Sequence, residues 1–374
     1  MTHRVFVAGH LALVLACHSA ADPPTPSSAS EASVSAAATG GYGGSGANGA
    51  GGLAGAGGEG GHPCVDSLPV DSAPPEKLSE TGLYADIAMK QIAVAVRAFT
   101  PRFELWSDDA DKQRWIYLPE CSGIDTSDMN DWSLPVGARL FKEFSVDGAR
   151  IETRLVERIG PGDHDFIFAA YLWNDEETEA ERVPQGQADA KGTAHDVPDE
   201  TACRRCHGSE PTAGGRPSRV LGFSAIQLSD ESAGFNLAML VSEQRLSDPP
   251  ESNIALPGDA AQKAALGYLH ANCGHCHNDT ASGVAQVDLN FWLDVDLSTV
   301  ASTPTYLTTV GQPTTLFKDQ HVTARIEPGK PESSAVSFRM GQRGNNAQMP
   351  PIATEKVDEA GLAAIDSWIA SLSP

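Results

Sequence analysis

The chain has 374 residues, and its 49 acidic and 26 basic side chains give a formal net charge of -23 at neutral pH. Phosphate backbones and anionic lipid headgroups repel so acidic a surface, which argues against nucleic acid as a partner and against electrostatic docking to membranes. Hydrophobic residues (41%) and charged residues (20%) occur in the proportions of folded soluble proteins, and the length allows two or three modest domains.

Residues 1–16 have the pattern of a bacterial signal peptide. Arg4 precedes an apolar stretch that is too short to span a membrane. The four residues ending at Cys17 resemble a lipobox, in which cleavage leaves a lipid-bearing cysteine at the new N-terminus; an ordinary signal peptide cut after Ala21 is the alternative. His18 after the cysteine resembles the sorting signal of outer-membrane lipoproteins. We therefore expect an exported outer-membrane lipoprotein, facing the periplasm or cell surface, whose only membrane contact is its lipid.

A disordered linker is predicted over residues 17–63. This stretch is rich in Pro, Ser, Ala and Gly, and residues 40–61 hold 13 glycines in 22 positions. It contains too few apolar side chains to build a core, and its glycines lack the strict three-residue period of collagen. The linker is expected to act as a flexible tether for the folded part of the chain.

Residues 64–185 predict a β-rich domain. Two alternating apolar runs, 140–146 and 151–155, flank Asp147-Gly148, which is a strong hairpin signal. A third strand, 166–173, is apolar on both faces. Three consecutive strands predict an antiparallel meander, which would close as a sandwich or as a barrel-like sheet.

Other residues of this domain leave two interpretations open. Trp106, Asp108 and Arg114 lie in an aromatic-rich segment, where they either hold a loop through an aromatic contact and an ion pair or form a ligand site.

Cys64 and Cys121 are expected to form a disulfide in an oxidising compartment, with free thiols as the alternative.

Four of the seven cysteines belong to two copies of C-x-x-C-H, namely Cys203 to His207 and Cys273 to His277. This pattern is the attachment signature of c-type haem, since two cysteines on one helical turn can reach both vinyl groups of a porphyrin while the histidine ligates the iron. We therefore expect two covalently bound haem c groups. Zinc and dithiol exchange are rival interpretations, but 66 residues separate the two pairs, where structural zinc pairs are usually separated by 15 to 20.

The second copy is flanked by two predicted helices and a Met-Pro-Pro run. A predicted helix over 259–271 leads into it, the Met349-Pro350-Pro351 run follows, and a final helix is predicted around residues 362–372. Residues 257–374 thus resemble class I cytochrome c. The resemblance implies an all-α domain in which Cys273 and Cys276 attach the haem, His277 is the proximal ligand and Met349 is the distal ligand. A core role for Met349 is the alternative, and strands or loops are expected in a long insert over residues 289–325.

The first copy lies in a predicted connector over residues 186–256. Here Cys203 and Cys206 would attach the haem and His207 would be its proximal ligand. The candidate distal ligands are Met239 and His195, although each alone is more often not a ligand. If neither binds, the iron keeps an open position where a small molecule could react.

The fold class expected is multidomain α+β: an antiparallel β sandwich or barrel-like domain, then an all-α cytochrome c domain, after the disordered linker. The whole chain is similar to uncharacterised exported bacterial dihaem lipoproteins. An electron carrier with a redox protein partner bearing a basic docking patch is favoured. The alternatives are a haem enzyme, either peroxidase-like or the electron-accepting subunit of an exported dehydrogenase, and a redox sensor or scaffold.

Overall fold

The computed structural model describes residues 68–70, 72–207, 220–229, 234–279 and 287–373. The predicted signal peptide, the lipidation site Cys17, the linker and Cys64 lie outside these residues. Cys121 is disulfide-bonded, and its predicted pairing with Cys64 stays a prediction, while Cys203, Cys206, Cys273 and Cys276 are free thiols. No helix in the described part of the chain is long and apolar enough to cross a membrane.

The β-rich region contains an antiparallel meander of six strands in the order β3-β4-β5-β6-β7-β8, and a separate pair, β1 and β2. The strands are β1 Tyr84–Asp86, β2 Gln91–Ile92, β3 Val96–Ala98, β4 Asp111–Tyr117, β5 Arg139–Val146, β6 Ala149–Arg158, β7 Phe166–Trp173 and β8 Ala180–Arg182. The predicted antiparallel meander is confirmed. The sandwich or barrel is not shown, because the second sheet has only two strands and the outer strands β3 and β8 are not paired with each other among the described residues.

The hairpin between β5 and β6 turns at the predicted dipeptide. Asp147 and Gly148 have φ angles of 51° and 83°. Positive φ at both central residues is the geometry of the turn that matches the natural twist of two antiparallel strands, and Asp-Gly tolerates it well. The turn and a one-residue register shift between Phe144 and Ser145 together set the pairing of β5 with β6, in which Lys142 lies directly opposite Arg154.

The two faces of the six-stranded sheet have different coverings. One face carries Trp115, Phe141, Leu155 and Tyr171, which form an apolar cluster with the segment around β1 and β2. The opposite face packs at one end against the connector, where Ile116 and Leu140 join Phe223, Leu228 and Leu240. The rest of that second face carries charged side chains and lies beside the first C-x-x-C-H motif.

Six α-helices follow the sheet within the residues that the structure describes. They are α1 Glu200–His207, α2 Leu237–Ser242, α3 Ala260–Asn272, α4 Pro304–Thr309, α5 Ala335–Met340 and α6 Glu359–Ser371. The helices predicted before the second motif and at the end of the chain are therefore confirmed as α3 and α6. Asp259 begins α3 with a capping box, in which its side chain and that of Gln262 satisfy each other's backbone amides.

The predicted insert over residues 289–325 is not made only of strands and loops, because it contains α4. Two residues favour the start of α4. The Thr303 side chain accepts a hydrogen bond from the amide of Tyr306, and Pro304 occupies the first helical turn.

Helices α3 and α6 pack against each other around close backbone contacts. A Cβ atom on Gly361 would lie 2.2 Å from the ring of Tyr268, and one on Gly267 would lie 2.1 Å from the ring of Phe103. The crossing also buries Leu269 and Trp368 in one apolar cluster. Irregular segments connect the helices of this region, so the prediction of an all-α cytochrome domain stays a prediction.

The β-rich and helical regions belong to one compact unit. Phe103, from the segment before β4, contacts Gly267 in α3, and Ile226 of the connector lies in the same apolar cluster as α3 and α6. The sheet is thus in direct contact with both cysteine-containing segments.

Candidate haem sites

The second C-x-x-C-H motif continues the chain at the end of α3. The amide of Cys273 donates to Leu269 O at 2.9 Å, and the amide of His277 donates to Cys273 O at 2.9 Å. The motif therefore forms a helical turn. Two cysteines three residues apart on such a turn project to the same side, as the chemistry inferred from the sequence requires.

A cavity of about 210 Å³ brings together all four residues predicted for the second haem, Cys273, Cys276, His277 and Met349. Most of its wall is apolar, including Phe291, Phe317, Leu289, Val336 and Met340. Met349 is half-buried at this cavity rather than in the core. Its amide donates to Arg339 O at 3.1 Å, which fixes the start of the Met-Pro-Pro run.

The apolar surroundings shift the pKa of each titratable residue predicted to hold the second haem. Burial raises the pKa of Cys273 and of Cys276 to about 12 in each case. Burial also lowers the pKa of His277 to about 4, with His275 and Arg339 contributing. The thiols and the imidazole are therefore all neutral at neutral pH. Reactive dithiol centres have lowered thiol pKa values, so this environment does not favour dithiol exchange.

The His277 ring has an unusual hydrogen-bonding state. Its Nδ1 atom is buried and has no hydrogen-bond partner among the described residues, and its only ring contact there is the edge of Phe291, with centroids 5.7 Å apart. Two thiols, an unpartnered neutral imidazole and a thioether thus face one apolar cavity. These residues fit a covalently attached haem.

The β-rich region holds the end of α3 and the chain after Met349 in place. The amide of Trp106 donates to Asn272 Oδ1 at 2.7 Å, one residue before Cys273. The Asp108 carboxylate accepts from Thr354 Oγ1 at 2.9 Å and from the amide of Lys356 at 2.8 Å. The loop-holding interpretation is therefore confirmed for Asp108, through hydrogen bonds rather than through an ion pair.

Arg114, the third residue of that group, lies elsewhere. It is buried on β4, where its guanidinium meets Glu104 at 3.4 Å.

The first motif is itself a helix, because Cys203, Cys206 and His207 all lie in α1. None of the residues of α1 is buried. The His207 ring lies 5.3 Å from the ring of Phe168 on β7, on the charged face of the sheet. A haem attached here would cover surface that the described residues leave accessible.

The two thiols are half-buried, and this partial burial raises the pKa of Cys203 to about 11 and also raises that of Cys206. Arg154 on β6 opposes both shifts, which places its positive charge close to the two thiols.

Neither predicted distal ligand of the first haem is in a position that favours iron binding. His195 is 6% exposed, and its Nε2 atom lies 2.7 Å from Glu152 Oε2, so the nitrogen that would bind iron already has a partner. Met239 lies in α2 and packs against the apolar cluster of the connector. Both candidates stay predictions, and the structure assigns each another role.

The two motifs lie close to each other. Burial dominates the rise in the pKa of Cys276, and the Cys206 thiol adds an electrostatic contribution. The two thiols therefore lie within electrostatic range of each other, although 69 intervening positions separate them in the sequence. The sequence did not predict this proximity.

Comparisons with protein-family models, with curated proteins and with solved structures gave no match. The assignment of the site therefore depends on the geometry of this chain. Within the described ranges, no group of three or more His, Cys, Asp and Glu side chains is placed to hold a metal ion, as a zinc site made only of protein ligands would require.

Replacing Asp108 by alanine should loosen the chain after Met349. Hydrogen bonds to a charged group contribute about 1.5 to 3 kcal/mol, so we expect amide exchange at Glu355 and Lys356 to accelerate by at least about tenfold. Hydrogen exchange followed by mass spectrometry measures this change.

Asp109→Ala is the matched control, because Asp109 contacts Lys356 only through an exposed ion pair of 3.2 Å. Equal exchange rates in the two variants would contradict the proposed role of Asp108.

Proposed function

We propose that this protein is a dihaem c-type cytochrome that carries electrons in the bacterial cell envelope. The observation that carries the proposal is the convergence of Cys273, Cys276, His277 and Met349 on one apolar cavity. These four residues are the set that the class I cytochrome c resemblance implies, and folding alone brings Met349 to the others from 72 positions beyond His277. The haem supplies an iron that exchanges single electrons between its ferrous and ferric states.

The residues of the second site have separate roles in this proposal. Cys273 and Cys276 fix the position of the cofactor, so its orientation does not depend on noncovalent packing. His277 and Met349 provide one nitrogen and one sulfur ligand, and a thioether ligand raises the reduction potential. The apolar wall excludes water, which disfavours the more highly charged ferric state. The site is thus suited to accept an electron and pass it on, with no covalent bond of the protein made or broken.

The nearness of Cys206 to Cys276 supports transfer between two sites within the chain. The acidic composition of the chain favours a redox protein partner with a basic docking patch. We further propose that the C-terminal region has the class I cytochrome c fold and that Cys17 carries a lipid that holds the protein at the outer membrane.

A second function, catalysis at the first haem, is favoured by one observation: His195 and Met239, the candidate distal ligands, are both engaged elsewhere. A haem bound only by His207 would leave a position open to a small molecule such as a peroxide. The β-rich region holds the second site through Asp108 and borders the first through Phe168, so its size does not by itself indicate a substrate-binding domain.

Haem stoichiometry tests the main proposal. Protein matured in a host with the periplasmic haem-attachment system should carry two covalent haems in a pyridine haemochrome assay. The paired variants Cys203→Ser/Cys206→Ser and Cys273→Ser/Cys276→Ser should each carry one. Protein without covalent haem would reject the proposal. A high-spin signal that disappears only with the first pair would favour catalysis at the first haem.

Met349→Leu should remove the distal ligand of the second haem. Leucine fills a similar volume but offers no sulfur, so the long-wavelength absorption of methionine-ligated ferric haem should disappear and the reduction potential should fall. Met340→Leu is the matched control, since Met340 lines the same cavity. If both variants keep the wild-type spectrum, the distal ligand is another residue.

Cys17→Ala should move the protein from the membrane fraction to the soluble fraction, because the substitution removes the lipid attachment point. Fractionation and immunoblotting measure the change, with Ser19→Ala as the control. Tight membrane association of the Cys17 variant would reject the lipoprotein assignment, and a soluble wild-type protein would favour cleavage after Ala21.

A further inference from the structure

A row of three basic side chains crosses the sheet beside the first motif. Arg114 on β4 is directly opposite Lys142 on β5, and Lys142 is directly opposite Arg154 on β6. Directly paired positions in an antiparallel sheet lie about 5 Å apart and project to the same face. Like charges in such positions repel each other, so the row requires nearby anions.

The described residues supply only part of the required negative charge. Glu104 lies 3.4 Å from Arg114 and 3.8 Å from Lys112, and the buried Glu152 pairs with Arg154 at 2.6 Å. Lys142 has no carboxylate partner among the described residues, and its ammonium lies 4.6 Å from the ring centroid of Phe144. Of the described carboxylates at contact distance, only Glu104 and Glu152 pair with this cluster of four basic side chains, which are Lys112, Arg114, Lys142 and Arg154.

The environment of Lys142 makes this imbalance costly. Burial lowers the pKa of its ammonium well below the ordinary value, and Arg114, Arg154 and Lys112 lower it further. An anion at this position would restore the charged form. The chain as a whole has a net charge of -23, so a local cluster of buried and half-buried basic side chains points to a specific anionic group rather than to a general surface property.

The position of the row relates it to the first haem site. Arg154 is directly opposite Ala170 on β7, two residues from Phe168, whose ring lies 5.3 Å from the ring of His207. Arg204, inside the motif, lies over Phe168 at 5.6 Å, which places α1 above the same face of the sheet. Haem carries two propionate groups, which would supply anions to this cluster of cations.

We propose that the row formed by Arg114, Lys142 and Arg154 binds the propionate groups of the haem attached to Cys203 and Cys206. This inference rests on the proposed function. The row would hold the propionate groups through charge, while Cys203 and Cys206 would hold the porphyrin through thioether bonds. It also raises the reduction potential of that haem, because nearby cations stabilise the state that carries the additional electron.

Lys142→Gln in the haem-loaded protein tests the inference. The substitution should lower the reduction potential of the first haem by about 59 mV, which corresponds to a tenfold change for a one-electron couple. It should also shift the propionate-bending bands in the resonance Raman spectrum. Lys142→Arg should retain most of the wild-type potential, and the exposed Lys330→Gln is the matched control. The variant Cys273→Ser/Cys276→Ser identifies the signal of the first haem.

The outcomes separate the two proposals. Two covalent haems with an unchanged first potential and unchanged propionate bands in Lys142→Gln would overturn this inference and leave the proposed function intact. Protein without haem at Cys203 and Cys206 would overturn both. A potential that depends on added phosphate in the wild type but not in Lys142→Gln, with unshifted propionate bands, would show that the row binds a free anion and would also overturn the assignment to propionates.

Discussion

The register of β4, β5 and β6 is the constraint on which both candidate sites depend. Side chains alternate between the faces of a strand, so a shift of one residue would exchange the two faces. In the observed register, Trp115, Phe141 and Leu155 are buried together on one face, while Arg114, Lys142 and Arg154 align on the other. Burying the aromatic face therefore forces the basic row onto the face beside the first motif.

The sheet also determines how the second site is held. The segment that enters β4 carries Trp106 and Asp108, which hydrogen-bond to Asn272 and to the chain around Lys356. These contacts hold the two sides of the cavity, one before Cys273 and one after Met349. In the proposed electron carrier, such rigidity would keep the ligand geometry nearly constant when the oxidation state changes. The β-rich region therefore contacts the segments that carry both candidate sites.

Local sequence patterns predicted several elements correctly. The φ angles that Asp147 and Gly148 adopt are a property of those two residues, and the apolar periodicity of α3 and α6 depends on neighbours three and four positions apart. The short helix α4 was missed, although Thr303 and Pro304 carried its starting signal. The sandwich or barrel could not be decided in advance, because the closure of a sheet depends on contacts between its first and last strands.

The sequence by itself determined the two C-x-x-C-H motifs, since five consecutive residues fix the direction of two thiols and one imidazole. Only the tertiary structure decided that Met349 shares a cavity with His277, that His195 pairs with Glu152 and that Cys206 lies near Cys276. The hydrogen bond from the amide of Lys356 to the Asp108 carboxylate joins residues that are 248 positions apart in the sequence. Contacts of this kind form only when separate core clusters pack together, and no local pattern encodes their distance or direction.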